Sequence, residues 1–423
     1  MNNKILMIIN IFPPSGESGI QRPVKFLKYL ARDGWETYVV APKRPVNCIF
    51  TDTTLEKDIP GNTKVFRTAS LGFSEDKLPD IRSEFAESSK PVNKAIWKVV
   101  KLINDLVLPI DKQMGWVPFA LLKSIYVIRK YKIRNIYITA YPFSAFICGV
   151  ILKKLFGEKI YWVADYRDAW QFAPLIKKNV LPFRYGTICR TEKIALSTAD
   201  SIVFPTSFIF ERYRDTYPWV TFKSVVITNG YDEDDFTNLV PKTFDKFTFV
   251  YMGKIHISKG NPIPLLEVIQ QNLKVDYQYI HVGTIGKQML KRIEDSGLPY
   301  QYLGYKPHQE ALSYSSGADV NIIIINNDAE SVGVYSGKLF ELLRLGKPIF
   351  VVGPRESIIK DILAKTKAGA YACVDDYQEM QEALKDILAG TFTTNHSTGI
   401  IEQYSRQNCT KQLENLYLAG HKK

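Results

Sequence analysis

Two lysines stand in a glycine-bearing segment, YMGKIHISKGN, where Lys254 directly follows Gly253 and Lys259 precedes Gly260. At the mouth of a strand-to-helix turn both ammonium groups could reach a diphosphate as point charges. A solvated, lysine-bearing loop is the plain alternative. A second segment, VYSGKLFELLRLGKPIFVVG, puts Ser336 where a helix N-cap would stand, with Gly337 and Lys338 after it and Glu341 three residues beyond Lys338. Backbone amides and a lysine at a helix start suit phosphate, and a carboxylate one turn on can accept both hydrogen bonds of a ribose diol. The competing reading is an i,i+3 surface ion pair worth only a fraction of a kcal/mol. Near the start, PPSGESGIQR offers Gly16 and Gly19 just ahead of a helical pattern. Glycines there let backbone approach a phosphate, or simply make the turn. The spacing is not GxGxxG and no acidic residue closes the second strand, which argues against a nicotinamide site.

The run Asp165-Tyr166-Arg167-Asp168-Ala169-Trp170 follows a strand pattern. Asp168 is the candidate catalytic carboxylate there, with Arg167 beside it able to bind phosphate. The alternative is a structural ion-pair network of Asp165, Arg167 and Asp168 under Trp170. None of the five histidines has a metal-ligand partner at useful spacing, although His256 lies inside the candidate phosphate loop. Asp232-Glu233-Asp234 formally matches a DxD metal motif, but its acidic, loop-like surroundings read as solvated turn chemistry. No metal site is expected.

These residues need elements to hold them. Short β-branched runs alternate with helical patterns along nearly the whole chain, which predicts parallel sheets covered by helices. Strands are expected at Ile5–Ile9, Thr37–Val40, Ile136–Thr139, Lys159–Val163, Ser201–Phe204 and Val225–Ile227, then at Phe247–Tyr251, Tyr277–Val282, Val320–Ile325, Pro348–Val352 and Ala370–Cys373. A helix is expected over Pro23–Arg32, with Gly34 behind its end. The apolar stretch from Ile136 to Leu152 reads as strand, loop and helix, and Pro42 to Pro118 as an irregular insertion. At 423 residues the chain exceeds one ordinary core. Residues 1–235 and 236–398 are expected as two Rossmann-like domains facing across a cleft, with 399–423 as a terminal helix that crosses back to the first domain.

Five scattered cysteines show neither a disulfide framework nor zinc spacing, and MNNKILMIIN reads as a first buried strand rather than a signal peptide. A cytoplasmic protein is expected. The net charge of +12 is uneven: residues 1–240 hold 34 Lys+Arg against 24 Asp+Glu. That balance points to an anionic partner on the first half, and an anionic membrane surface suits it better than nucleic acid, because no base-reading motif interleaves the basic residues. In SKPVNKAIWKVVKLINDL, Lys90, Lys94, Lys98 and Lys101 alternate with Trp97, Val99, Val100 and Leu102. The pattern suits an interfacial helix or an ordinary amphipathic one.

Taken together, the glycine loop at Gly16–Gly19, the pair Lys254/Lys259, the stretch Gly337–Pro348, Asn229-Gly230-Tyr231-Asp232 and Leu303-Gly304-Tyr305 resemble family 4 glycosyltransferases of the GT-B fold through nearly the whole chain. The Asp165–Trp170 run, with Tyr141-Pro142 upstream, is similar to a subgroup that builds bacterial surface polysaccharides. The resemblance implies a retaining, metal-independent transfer of a hexose-type sugar from a nucleoside-diphosphate sugar. The acceptor expected is a saccharide, or a polyprenyl-linked or lipid molecule, and the basic first half is what points to the inner membrane face. The resemblance also implies that Gly16, Gly19, Lys254, Lys259, Gly337 and Lys338 hold the diphosphate, Glu341 the ribose, and Tyr305 and Lys306 the base. Two positions depart from the pattern. Gly333 stands where such enzymes often have a first glutamate, with Glu330 out of register, and Lys254 stands where arginine is usual. A nucleotide-sugar epimerase of the same layout and an inactive sugar-nucleotide binding protein are the competing readings.

Overall fold

The computed structural model describes residues 3–16, 18–43, 53–71, 109–173, 176, 180–255, 260–329, 331–392 and 399–421. Lys259, His256, Glu330 and the lysine-rich segment 89–106 lie outside the described residues. The chain divides into two compact units, Met1–Thr228 with Thr410–Lys423, and Asn229–Cys409.

The first unit is built on a seven-stranded sheet. Its strands are β1 (Lys4–Ile8), β2 (Glu36–Pro42), β3 (Lys64–Thr68), β4 (Asn135–Ala140), β5 (Tyr161–Tyr166), β6 (Ser201–Phe204) and β7 (Ser224–Val226). They lie side by side in the order β3-β2-β1-β4-β5-β6-β7, each neighbouring pair parallel. Helices α1 (Gln21–Arg32), α2 (Val117–Tyr131), α3 (Ala145–Phe156), α4 (Pro182–Thr198) and α5 (Ser207–Thr216) connect them. Central strands such as β4 are buried along their length, which is why they read as apolar runs rather than alternating ones. Helix α1 begins two residues before the expected Pro23 and ends where Gly34 takes φ +86. The apolar stretch after Ile136 is strand, loop and helix as expected: β4, a turn, then α3.

The stretch expected to be irregular holds regular structure at both ends. Lys64–Thr68 is the edge strand β3, and α2 begins at Val117. The edge strand escapes a pattern reading because Lys64 and Arg67 interrupt it and most of its residues are only half-buried, so it carries no apolar run. The indole N–H of Trp116 donates to Thr68 Oγ1 at 2.8 Å and ties the start of α2 to this strand.

The second unit holds a six-stranded sheet in the order β10-β9-β8-β11-β12-β13. Its strands are β8 (Phe247–Met252), β9 (Tyr277–Val282), β10 (Gln301–Tyr302), β11 (Val320–Ile324), β12 (Ile349–Gly353) and β13 (Gly369–Cys373). Helices α6 (Ile263–Asn272), α7 (Lys287–Asp295), α8 (His308–Gly317), α9 (Leu339–Leu345), α10 (Ile358–Thr366) and α11 (Tyr377–Leu388) flank it. In α11, Met380, Ala383, Leu384 and Ile387 recur at helical spacing and are buried, and the Asp376 side chain caps the helix by accepting from Glu379 N–H. The last helix, α12 (Arg406–Gly420), follows a short turn at Glu402–Tyr404. Both doubly wound parallel sheets are therefore present. In such sheets ligands bind beyond the carboxyl ends of the strands.

Candidate functional site

In the second unit those carboxyl ends converge on a glycine pair. Gly253 follows β8 and Gly283 follows β9, at φ +154 and +145. A Cβ on Gly283 would lie 1.9 Å from the Gly253 carbonyl oxygen, and one on Gly253 would lie 1.7 Å from Lys338 Nζ. Only glycine lets these strand ends and the lysine pack so closely. His281, fully buried on β9, fixes the same corner. Its Nε2–H donates to Gly253 O at 2.7 Å, and its Nδ1 accepts from Tyr300 O–H at 2.6 Å. Both bonds use the neutral ring. Burial pushes its pKa down to about 4, with the nearby Lys338 charge acting the same way.

Lys338 is half-buried, with its ammonium 5.3 Å from the Tyr251 ring centroid. Burial pushes its pKa down to about 8, against the pull of Glu341. Protein atoms crowd the ammonium although water still reaches the side chain, so the cation is held in a poorly solvated place. A phosphate oxygen would restore what it lacks. The α9 segment differs from its expected form. Ser336 does not cap the helix with its side chain. Its carbonyl accepts from Leu339 N–H in a turn, and the helix proper starts at Leu339. Gly337 and Lys338 lie in that turn, and a Cβ on Gly337 would meet open space.

Glu341 is almost buried, and one carboxylate oxygen, Oε1, lies 3.0 Å from His308 Nε2. His308 opens α8, two residues beyond Lys306, so this contact joins the expected ribose residue to the expected base segment. Tyr305 is 67% exposed, and Lys306 pairs with Glu310 at 3.2 Å. Lys254 is exposed beyond Gly253. The structure thus brings together Lys338, Gly253, Glu341 and His308. Sequence reasoning missed His308 and His281. A histidine shortly after Gly304-Tyr305-Lys306 was the available signal, but its partner lies 33 residues away.

The Asp232-Glu233-Asp234 motif is turn chemistry as expected, with Glu233 and Asp234 exposed; only the burial of Asp232 departs from a fully solvated segment. Asp232 is buried, and its Oδ1 accepts from Asp234 N–H at 3.2 Å. Glu233 pairs with Arg344 of α9. Among the described residues no group of three or more His, Cys, Asp or Glu could hold a metal ion.

In the first unit the run after β5 separates into two parts. Asp165 is fully buried, and its carboxylate accepts from Arg22 (2.8 and 3.0 Å), Tyr137 O–H (2.5 Å) and Thr139 O–H (3.0 Å). Arg22 spends further N–H groups on the carbonyls of Ile227 and Thr228. A buried pair so fully bonded is structural. The network imagined around Asp165 therefore runs to Arg22 on α1, not to Arg167 and Asp168. Arg167 instead rests on the glycine loop. A Cβ on Gly19 would fall 1.8 Å from its guanidinium, so the protein itself uses the space that Gly19 leaves. Gly16 is half-buried one turn earlier. Asp168 is exposed, yet desolvation raises its carboxyl above the usual carboxylate range, with Arg167 opposing. Trp170 stacks on Phe143 at 4.6 Å and lies beneath the loop.

No protein-family model matches the chain, and no curated protein matches it in sequence. Solved structures match over the whole length. Sucrose-phosphate synthase from Thermosynechococcus elongatus is 15% identical with a TM-score of 0.64, covering 98% of both chains. Anabaena HepE in complex with UDP and glucose is 15% identical with a TM-score of 0.62, over 98% of this chain and 99% of that one. UDP-GlcNAc 2-epimerase from Neisseria meningitidis bound to UDP-GlcNAc is 12% identical with a TM-score of 0.58, covering 98% and 100%. The chain has the GT-B fold of these proteins.

Proposed function

From the GT-B fold and the second unit's strand ends, we propose that this protein is a glycosyltransferase that takes a hexose-type sugar from a nucleoside-diphosphate donor. The observation that supports the reading best is the crowded ammonium of Lys338 above Gly253, within electrostatic reach of the Glu341–His308 pair. In this reading Lys338 and Lys254, with Lys259 and Gly337, receive the diphosphate. They stabilise it as it departs, without a divalent metal. Glu341 holds the ribose diol through the oxygen that His308 leaves, and Tyr305 and Lys306 meet the base. Arg167 and Asp168 serve the acceptor side, where a carboxyl of raised pKa can orient a hydroxyl and accept its proton. Retention of anomeric configuration, and an acceptor that is a saccharide or a polyprenyl-linked molecule of bacterial polysaccharide synthesis at an inner membrane face, complete the proposal.

Solved neighbours bind UDP, glucose and UDP-GlcNAc, so uridine nucleotides are the first probes. A thermal-shift screen of nucleoside diphosphates and their sugars, run with and without chelator, is expected to show a stabilising nucleotide whose effect survives the chelator. Lys338→Met and Glu341→Ala should each remove the shift; an unchanged shift in both would sink the site assignment. The epimerase with the same fold supports one second reading. Labelled donor incubated without acceptor separates the two, since an epimerase converts the sugar and a transferase does not.

A further inference from the structure

The first unit carries a second cationic place, at the opposite ends of its strands from the Asp165–Asp168 run. Between the end of α2, the start of β4 and the end of α3 lies a shallow basin of about 720 Å³. Its floor is aliphatic: Ile128, Ile133 and Ile160 are almost wholly buried there. Its rim carries Arg129, Lys132, Arg134 and Lys159, all exposed, against one lining carboxylate, Glu158. The Arg129 guanidinium sits 5.9 Å from the Phe156 ring centroid, so the cation stays beside an apolar wall.

The adjoining surface is also mixed. On α2, Leu122 and Tyr126 precede Arg129 and Lys130 at helical spacing and are 68% and 47% exposed; on α3, Leu155 is 56% exposed beside Lys154. Lys130 donates to Tyr126 O–H at 2.8 Å, and Lys123 lies 5.1 Å from the same ring centroid, so cations flank the apolar groups. Apolar side chains that cluster on the surface within a rim of charged groups mark a place of interaction with a protein or a membrane.

We propose that this face docks the protein on a bilayer rich in anionic phospholipid. The rim cations take lipid phosphates, while Leu122, Tyr126 and Leu155 enter the headgroup layer. Nucleic acid fits less well, because aliphatic groups here offer no stacking platform and no hydrogen-bonding edge. No helix among the described residues is long and apolar enough to cross a membrane, so this is attachment to a surface. Strand β5 alone separates the basin from the Asp168 loop by about 20 Å. The contact therefore anchors the molecule rather than filling its candidate site, and it is independent of the proposed reaction.

Vesicle co-sedimentation of the full chain tests it, with phosphatidylcholine alone against phosphatidylcholine containing phosphatidylglycerol. The anionic vesicles should bind the protein, and added salt should release it. Reversing charge at Arg129, Arg134 and Lys159 (each to Glu) should weaken binding at least about tenfold. Tyr126→Ser with Leu155→Ser should weaken it at unchanged charge. All these side chains are exposed or at the rim, and an unchanged thermal midpoint verifies the fold of each variant. Equal binding to both vesicle types, or undiminished binding by the charge-reversed variant, would overturn the proposal. So would retention of an oligonucleotide in place of the vesicles.

Discussion

At the residue scale, Lys338 has a charge that depends on its surroundings near neutral pH. Its folded pKa of about 8 lies below the ordinary lysine value. Without ligand the fold disfavours the ammonium, so stability rises with pH between the folded and unfolded values. A diphosphate reverses the preference by favouring the cation. Nucleotide affinity should therefore fall as pH rises from about 7 to about 9, with proton uptake on binding, while Lys338→Met should be weak and nearly pH-independent across that range. Calorimetry in buffers of different ionisation enthalpy reads both. His308 makes a different prediction. It holds Glu341 at one oxygen, so His308→Ala should weaken nucleoside-diphosphate binding by roughly 1 kcal/mol and His308→Gln should restore part of the loss. Equal affinity in all three proteins would show that Glu341 needs no such partner.

At the element scale, the loop after β5 is held from beneath by two helices. Glu192 of α4 is fully buried, accepting from Gln171 N–H at 3.1 Å and from the Tyr213 hydroxyl of α5, while Trp170 N–H donates to that hydroxyl at 3.1 Å. Burial pushes the Glu192 carboxyl up to about 8, against the pull of those hydrogen bonds. A folded value above the unfolded one means its contribution is fully present below the unfolded pKa and is lost as pH rises through about 8. Glu192→Gln removes that titration and keeps the shape. Its thermal midpoint relative to the parent should improve as pH increases from about 6 to about 8 and then level off; a constant difference would mean Glu192 carries the same charge in the folded and unfolded chain throughout. Gly283 sets the geometry at the other site. Gly283→Ala forces a Cβ against the Gly253 carbonyl at positive φ, and a loss of about 2 kcal/mol or more in denaturant unfolding is expected.

At the scale of the whole molecule, the last residues of the chain complete the first unit. Thr410–Lys423 belong with Met1–Thr228. Tyr417 is fully buried and donates to the Ile136 carbonyl at 3.1 Å, Glu414 accepts from the Trp35 indole at 2.8 Å, and His421 Nε2 lies 2.6 Å from Asn135 Oδ1. A Cβ on Gly420 would meet the Tyr161 ring, so the tail passes close against β5. Tyr417→Ala should cost roughly 3 kcal/mol or more from cavity formation and the lost hydrogen bond. Removal of residues 410–423 should lower the unfolding temperature further. Unchanged unfolding in the truncated chain would show that the tail is not part of that unit's core.

The alternation of β-branched runs with helical patterns was enough to read two doubly wound sheets, because a parallel strand buried on both faces must be apolar along its length. The edge strand Lys64–Thr68 was hidden for the same reason: half in solvent, it has no such run. The glycine and lysine segments were visible as candidates because turns and phosphate contacts restrict residue type locally. Partners were not visible. Asp165 and Asp168 stand three residues apart in one motif, yet one is locked to Arg22, 143 residues away at the start of α1, and the other is exposed. Glu341 with His308, Lys338 with Gly253, and Glu192 with Tyr213 are likewise joined only by the fold. Sequence determined which side chains could carry charge at the strand ends. Tertiary structure decided which are spent on partners within the protein and which stay exposed, since burial and hydrogen bonding are set by neighbours distant along the chain.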